Sequence, residues 1–431
     1  PPGRIVTAAP ETVRAVSPLR NRNFALVWTS GLISDTGDWL LMIALPLFAF
    51  AMTGSALGTS TVFIAELLPV LLFGSLFGVL VDRWDHRTTM VVINLLQGLA
   101  LLPLIFANGD RLWIVYVVAA VEAALAAGLN PAKQSLLPQL VTSDQLGPAN
   151  SLMAVSENVS RLVGSPLGGL VFAVWGLPGV VILDAATYLV SAVLVGVSRG
   201  NAVQNPVDQS AHPRPVGLWH QWVDGFAIIR RTRPLGAILM IISVGSVAQG
   251  IFLVLFVVYV VRVLQASDAE VGLLRGVQAI GGILGGLLVG ILIRRLSNRV
   301  LVGYGYLVFG ALALLTWNFW PLSTATPFYV GLFIAMGIPA VATSAGIMTT
   351  VQLVAPPGAL GRIVATIQTA GQAAQGVGLV AAGVLADQFG VVAILDTQAG
   401  LYLLCGILAL AFFTRPNTTS VRTATSPARV G

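Results

Sequence analysis

The chain has 431 residues, of which 56% are hydrophobic and only 9% charged, and its mean hydropathy is +0.88. A soluble domain carries about 25% charged residues, so this composition excludes a water-soluble enzyme, a disordered chain and a nucleic-acid binder, and indicates a polytopic helical membrane protein. The single cysteine, Cys405, rules out an internal disulfide, and His86, His212 and His220 share no motif spacing, so neither a metal site nor a cofactor is expected.

A membrane-crossing helix needs about 20 apolar residues. Residues 1–23 are polar, basic and without an apolar h-region, and are expected to form a cytoplasmic tail. Six spans are predicted at 24–52, 58–81, 88–107, 112–131, 149–173 and 178–198. They place Asp35, Asp38, Glu66, Glu122, Glu157 and Arg161 in hydrocarbon, with Asp184 nearer the outer end of the sixth. Residues 199–234 form the longest polar gap: a Gly-, Asn-, Gln- and Pro-rich opening, then an amphipathic helix over 216–232 with Trp219, Trp222, Val223, Phe226 and Ile229 near one face. Trp and Arg on such a helix suit the headgroup layer, as an interfacial strut between two halves. Six further spans are predicted at 235–262, 270–293, 300–319, 326–349, 362–386 and 391–414, followed by a cytoplasmic tail at 415–431. The domains are therefore two six-helix bundles, 24–198 and 235–414.

With both termini inside, nearly every cation falls in an internal segment, Lys133 among them, and only Arg111 and Arg262 lie outside. Basic residues retained on one side set topology. The formal charge of +6 is thus spread over short loops and does not form a nucleic-acid groove.

The two halves repeat each other in order. Gly74, Gly78, Arg83 and Arg87 align with Gly286, Gly290, Arg295 and Arg299; Gln139-Leu140-Val141 with Gln352-Leu353-Val354; Leu183-Asp184 with Leu395-Asp396. A parallel repeat of six spans implies a pseudo-two-fold axis along the membrane normal and a cavity between two rocking bundles.

The segment Gly78-Val-Leu-Val-Asp82-Arg83-Trp-Asp85-His86-Arg87 resembles the motif between helices two and three of the major facilitator superfamily, with Asp85 where the turn usually has Gly. Gly37-Asp38, Ala44-Leu45-Pro46-Leu47, the Pro131-Ala132 turn after helix four, Leu183-Asp184-Ala185 and Gly361-Arg362 resemble the branch that holds macrolide exporters and the enterobactin exporter. Gly164-Ser-Pro166-Leu-Gly168-Gly169 is similar to, but one residue shorter than, the antiporter motif of drug exporters, and close helix packing also accounts for it. The resemblance implies a twelve-helix fold of two bundles and alternating access in a bacterial cytoplasmic membrane. It also implies a monomer, with a gating loop built from Gly78, Asp82, Arg83, Arg87 and the start of helix eleven at Arg362. Asp82 is expected to latch onto Arg87 and that helix start.

Charged groups in hydrocarbon need a reason. At the repeat-equivalents of Glu66, Glu157 and Arg161 stand Gln278, Gly371 and Gln375, so the scaffold does not demand ionisable groups there. Asp38 and Glu122 are the leading candidates for proton coupling, with Glu66 in reserve and Arg161 as tuner. Glu157 and Arg161, spaced i, i+4, can pair on one face. The cavity should be mostly apolar and aromatic, and Trp39, Phe63, Gln249, Phe252, Phe256, Gln278 and Gln372 are the candidates for touching substrate. No nucleotide-binding loop is present. The sequence thus reads as a proton-coupled exporter of small amphipathic or lipophilic compounds and not an enzyme. A siderophore or other metabolite exporter is the rival of the same fold, and a non-transporting membrane signalling or assembly protein the rival of another class.

Overall fold

The computed structural model describes residues 17–81, 84–198, 226–292, 296–356 and 358–413, the side chains of 75–81 and 292 excepted. Among these residues the chain forms twelve long helices and no strand. In the first half they are α1 (Arg22–Thr53), α2 (Ala56–Val81), α3 (His86–Ala100), α4 (Trp113–Leu140), α5 (146–175) and α6 (177–197). In the second they are α7 (Arg233–Val258), α8 (Asp268–Leu292), α9 (Asn298–Asn318), α10 (Thr326–Val354), α11 (Leu360–Phe389) and α12 (Val391–Phe412). The α5–α6 junction is a single residue, Gly176, at φ 64° and ψ −165°. That backbone is open to glycine and strained for other residues, so one long apolar run folds back as two spans. Among the described residues eleven helical stretches, one of them the continuous Ser143–Val197 run that holds α5 and α6, are long and apolar enough to cross a bilayer, and the chain is a multi-pass membrane protein.

Helix four departs from expectation. The predicted span ended at a Pro131-Ala132 turn, but α4 continues through Pro131 and Pro138 to Leu140. Prolines are tolerated in membrane helices because neighbouring groups re-satisfy the freed carbonyls. Lys133, assigned above to a loop, therefore sits inside a helix and forms an ion pair with Asp35 at 3.1 Å. Of the strut predicted over 216–232, residues 216–225 lie outside the described residues; 226–231 are helical, with Ile229 buried.

The helices alternate in direction, so α1 starts and α12 finishes at one end of the bundle, here the near end. In the first half α1 packs on α5, α2 on α4, and α3 on α4 and α5–α6; in the second α9 packs on α10 and α12, and α7 on α11 and α12. Between halves α5 packs on α8 and α2 on α11. Polar groups tie α1 to α5 and α6: Ser30 Oγ donates to the Ser191 carbonyl at 3.2 Å, Ser191 Oγ donates back to that of Ser30 at 2.9 Å, and Ser160 Oγ donates to that of Leu32 at 3.0 Å. Such bonds are worth about 0.6 kcal/mol each in a membrane bundle. Shape contributes as well: the backbones of Gly169 and Gly272 touch, and Pro166 rests on Gly276. The Gly-Pro-rich segment of α5 therefore has a packing role.

The cross-contacts cluster toward the far end. Ile43, Leu47, Phe50 and Phe63 share one core with Phe252, Phe256, Trp317, Phe333 and Ala382. Above it Arg262 Nη1 meets Asp387 Oδ1 at 3.2 Å, Ser55 Oγ donates to Asp387 Oδ2 at 2.8 Å, and Arg262 also donates to the Gly54 carbonyl. At the near end a Cβ added to Gly286, Gly290 or Gly361 would meet nothing within 4 Å. Among the described residues the bundle is sealed at the far end and open at the near end.

Candidate functional site

Two cavities run from the near end to mid-bundle. One, of about 740 Å³, is walled by α1, α4 and α5, with Asp35, Asp38, Trp39, Lys133 and Glu157 on its surface. The other, of about 460 Å³, lies among α7, α9, α10, α11 and α12, and Gln249, Tyr306, Gln372, Gln375 and Tyr402 line it. Tyr402 donates to Gln249 Oε1 at 3.2 Å.

Behind Asp38 lies a buried polar cluster. Tyr188 Oη donates to Asp38 Oδ1 at 2.5 Å and stands 3.3 Å from Glu122 Oε2. Gln97 Nε2 lies 3.1 Å from both Glu122 Oε2 and the Tyr188 hydroxyl. Asp184 is fully buried, accepts from Thr187 Oγ1 at 3.1 Å through Oδ1, and among the described residues leaves Oδ2 without a partner; Glu122 Oε1 is likewise unpaired among them. Gly37 makes this possible: a Cβ there would collide with the Asp184 carboxyl and the Thr187 hydroxyl. Three carboxyl groups, one phenol and one amide thus meet among α1, α3, α4 and α6, and none of the three carboxyls has a cation within 4.0 Å among the described residues. Asp38 is on the cavity wall, Glu122 is one phenol further in, and Tyr188, with one hydroxyl proton, touches both.

Gln97 and Tyr188 were not singled out from the sequence, and Asp184 lies in the outer half of α6. Asp184 lies about 11 Å along α6 from its start at 1.5 Å per residue, and the i, i+4 spacing of Asp184 and Tyr188 puts them on one face.

The other predicted residues divide. Arg161 does not form the expected ion pair with Glu157; among the described residues no carboxylate lies within 4.0 Å of it. It reaches the other half, donates to Gln278 Oε1, and stacks 5.3 Å from the Trp39 ring. Phe63, Phe252 and Phe256 do not reach either cavity wall; they are buried in the far-end core. Glu66 is half-buried on α2 and lines neither cavity. Asp82 and Arg83 lie outside the described residues, as do the surroundings of Gly78. Arg87 Nε donates to the Val195 carbonyl at 3.1 Å and Nη2 to that of Gly196, closing the end of α6. Asp85, where glycine was expected, is the N-cap of α3: its Oδ2 accepts from the Thr88 N–H at 2.8 Å and hydroxyl at 2.6 Å. Those bonds hold its carboxyl below the usual carboxylate range.

Two half-bundles sealed at one end among the described residues, with a cavity that reaches Asp38 at mid-depth from the other, are the construction of a secondary transporter. The family model of the Major Facilitator Superfamily matches residues 27–378 and 245–430, and the chain belongs to that superfamily. It is 25% identical over 375 residues to macrolide efflux protein A of Streptococcus pyogenes, covering 85% of this chain and 90% of that protein. It is 27% identical over 402 residues to the multidrug efflux pump Tap of Mycolicibacterium fortuitum, covering 89% and 94%. The match to the MFS-type transporter YfiS of Bacillus subtilis (strain 168) is 30% identical over 164 residues, 38% of this chain and 39% of that protein. Among solved structures the fold matches a bacterial homologue of the iron transporter ferroportin in its inward-facing state, with a TM-score of 0.71 at 17% identity over 91% of this chain and 99% of that one. It also matches the nucleoside transporter NupG, with a TM-score of 0.74 at 11% identity over 91% and 100%.

Proposed function

We propose that the chain exports small amphipathic or lipophilic compounds from a bacterial cytoplasm in exchange for protons. It would work as a monomer by alternating access, with both termini cytoplasmic. The excess of basic residues in the near-end segments supports this orientation, so the near-end opening is the inward-open state. The names of the efflux relatives support the substrate class. One observation carries the coupling: Asp38, on the cavity wall, shares a phenol with the buried Glu122. A deep carboxyl group crosses between openings cheaply only when neutral, because moving its charge through apolar surroundings costs several kcal/mol. In this scheme Tyr188 passes a proton between Glu122 and Asp38, Gln97 orients the acceptor oxygen, and substrate reaching Asp38 favours the charged form and proton release. Glu157 is on the same cavity wall, and Arg161 lies beside it over the Trp39 ring.

The test is export of a macrolide and a lipophilic dye from proteoliposomes under an imposed pH gradient, beside counterflow with no gradient. Loss of driven export in Asp38→Asn and Glu122→Gln, with counterflow kept, supports the assignment. If both variants still concentrate substrate, neither residue carries the proton.

A further inference from the structure

At the α5–α8 contact two guanidinium groups converge on one neutral oxygen. Arg161 and Arg275 both donate to Gln278 Oε1, the latter at 3.2 Å. Arg275 is 7% exposed; Arg161 and Gln278 are half-buried. Among the described residues no carboxylate lies within 4.0 Å of either arginine. The nearest acid in sequence, Glu157, is one turn away on α5 and offsets one charge at most. Aromatic rings complete the setting: Arg161 lies over Trp39, and Arg275 lies 5.0 Å from the Phe252 ring and 6.0 Å from those of Phe256 and Trp39. Rings attract a cation without neutralising it. A buried charge ordinarily has a counter-ion, and here two like charges share an amide that contributes none. Arg161 Nε, moreover, is buried without a hydrogen-bond partner among the described residues.

Arg161, Arg275 and Gln278 line neither cavity themselves, but Arg161 and Gln278 are partly exposed, and Arg161 lies over the ring of Trp39, which with Glu157 is on the wall of the larger cavity. Planar guanidinium groups match the oxygens of a carboxylate, sulfonate or phosphate ester, and the surrounding rings match an apolar body.

We propose that Arg161 and Arg275, bridged by Gln278, form the docking point for the anionic group of an amphipathic substrate. This rests on the export reading, because it names the chemistry of that same cavity's cargo. It selects, within the broad class of lipophilic compounds, those bearing an anionic group beside an aromatic or aliphatic body. A glutamate at position 278 would supply the missing negative charge from within the protein.

The experiment is calorimetric titration of the full chain in a neutral maltoside with naphthalene-2-sulfonate, 2-naphthylmethanol and 2-naphthylmethylammonium, three probes with one apolar body. Wild type should bind the sulfonate at least tenfold more tightly than the alcohol. Arg161→Gln and Arg275→Gln should lose that preference, and Arg275→Lys should keep part of it. Gln278→Glu should abolish it while raising thermal stability, so the test survives if Arg275→Gln does not fold. Equal binding of sulfonate and alcohol by wild type, or an unchanged preference in the variants, overturns the proposal. Repeating the titration in phosphatidylcholine nanodiscs with and without phosphatidylglycerol separates the sources of the anion. Arginine-dependent displacement of the sulfonate by phosphatidylglycerol would make the ligand a lipid headgroup and overturn the assignment to cargo. Absence of a sulfonate preference in a wild-type protein that exports a macrolide overturns this inference alone. Arginine-dependent binding in a protein that exports nothing overturns the export reading alone.

Discussion

Replacing Tyr188 with Phe removes one oxygen and leaves the ring in place. Tyr188 is 2% exposed, and its hydroxyl is the atom common to Asp38, Glu122 and Gln97. Without it Asp38 loses its donor, and Glu122 Oε2 keeps only Gln97. A buried hydrogen bond to a charged group is worth about 1.5–3 kcal/mol. If proton passage needs that bond in its highest-energy step, driven export should fall roughly 10- to 150-fold, at 1.36 kcal/mol per tenfold. Substrate contacts are untouched, so counterflow in the absence of a pH gradient should stay within about twofold of wild type. The assay is paired measurement of gradient-driven export and counterflow in the same proteoliposome preparation, normalised to inserted protein. Wild-type driven export by Tyr188→Phe would refute the phenol's part in proton passage. A parallel loss of both activities would assign Tyr188 to structure instead.

Gly37→Ala should destabilise the folded chain by about 1–3 kcal/mol through overpacking against Asp184, and Asp184→Ser in the same chain should recover most of that loss in detergent thermal unfolding. Asp85→Ala should cost about 1 kcal/mol by removing the α3 cap, while Asp85→Asn should cost a few tenths; because the folded carboxyl titrates low, the wild-type advantage is present above the unfolded-state value and fades as pH falls through the folded one, which unfolding at stepped pH would show. The Arg262–Asp387 pair is exposed at 41% and 37%, so Asp387→Asn should weaken the far-end seal by only about 0.2–1 kcal/mol. That is at most a fivefold population change, read as a longer spin-label distance between positions 57 and 389, and an unchanged distribution would remove the pair from gating.

The helices were legible because hydropathy is a sum over some twenty residues and tolerates local error. The end of α4 was not, since Pro131 carries the same local signal in a loop and in a membrane helix whose neighbours satisfy the freed carbonyl. Asp38 and Glu122 stood out because charge in hydrocarbon is rare. Tyr188 and Gln97 are neutral and ordinary in an apolar span, so only three-dimensional placement reveals that they join the two acids. Arg161 illustrates a second limit. Its local partner by helical spacing is Glu157, yet it binds Gln278 in the other half, a pairing that no spacing within one helix encodes. Phe63, Phe252 and Phe256 have the character of a lipophilic binding wall, and in this conformation they form the seal.

The repeat shows how the two halves can divide the work. In the first half the position on α2 carries Glu66, and its equivalent on α8 is the amide Gln278. A carboxylate at 278 would neutralise the arginine field, whereas an amide holds both guanidiniums in place and leaves their charge available. Asp38 is the residue before Trp39, whose ring lies against both arginines. An anion docked there cancels part of the positive field at Asp38 and so favours the proton on it. A simple anion would therefore bind together with a proton, and their joint exit would move no net charge, so the inside-negative membrane potential would not drive it. Exchange against protons requires competition at Asp38, which a cationic group on the same molecule supplies. The cargo best matched to both the arginine pair and the acid wall thus carries an anionic group at the α5–α8 contact and a cationic group facing Asp38, held apart by an apolar body against Trp39.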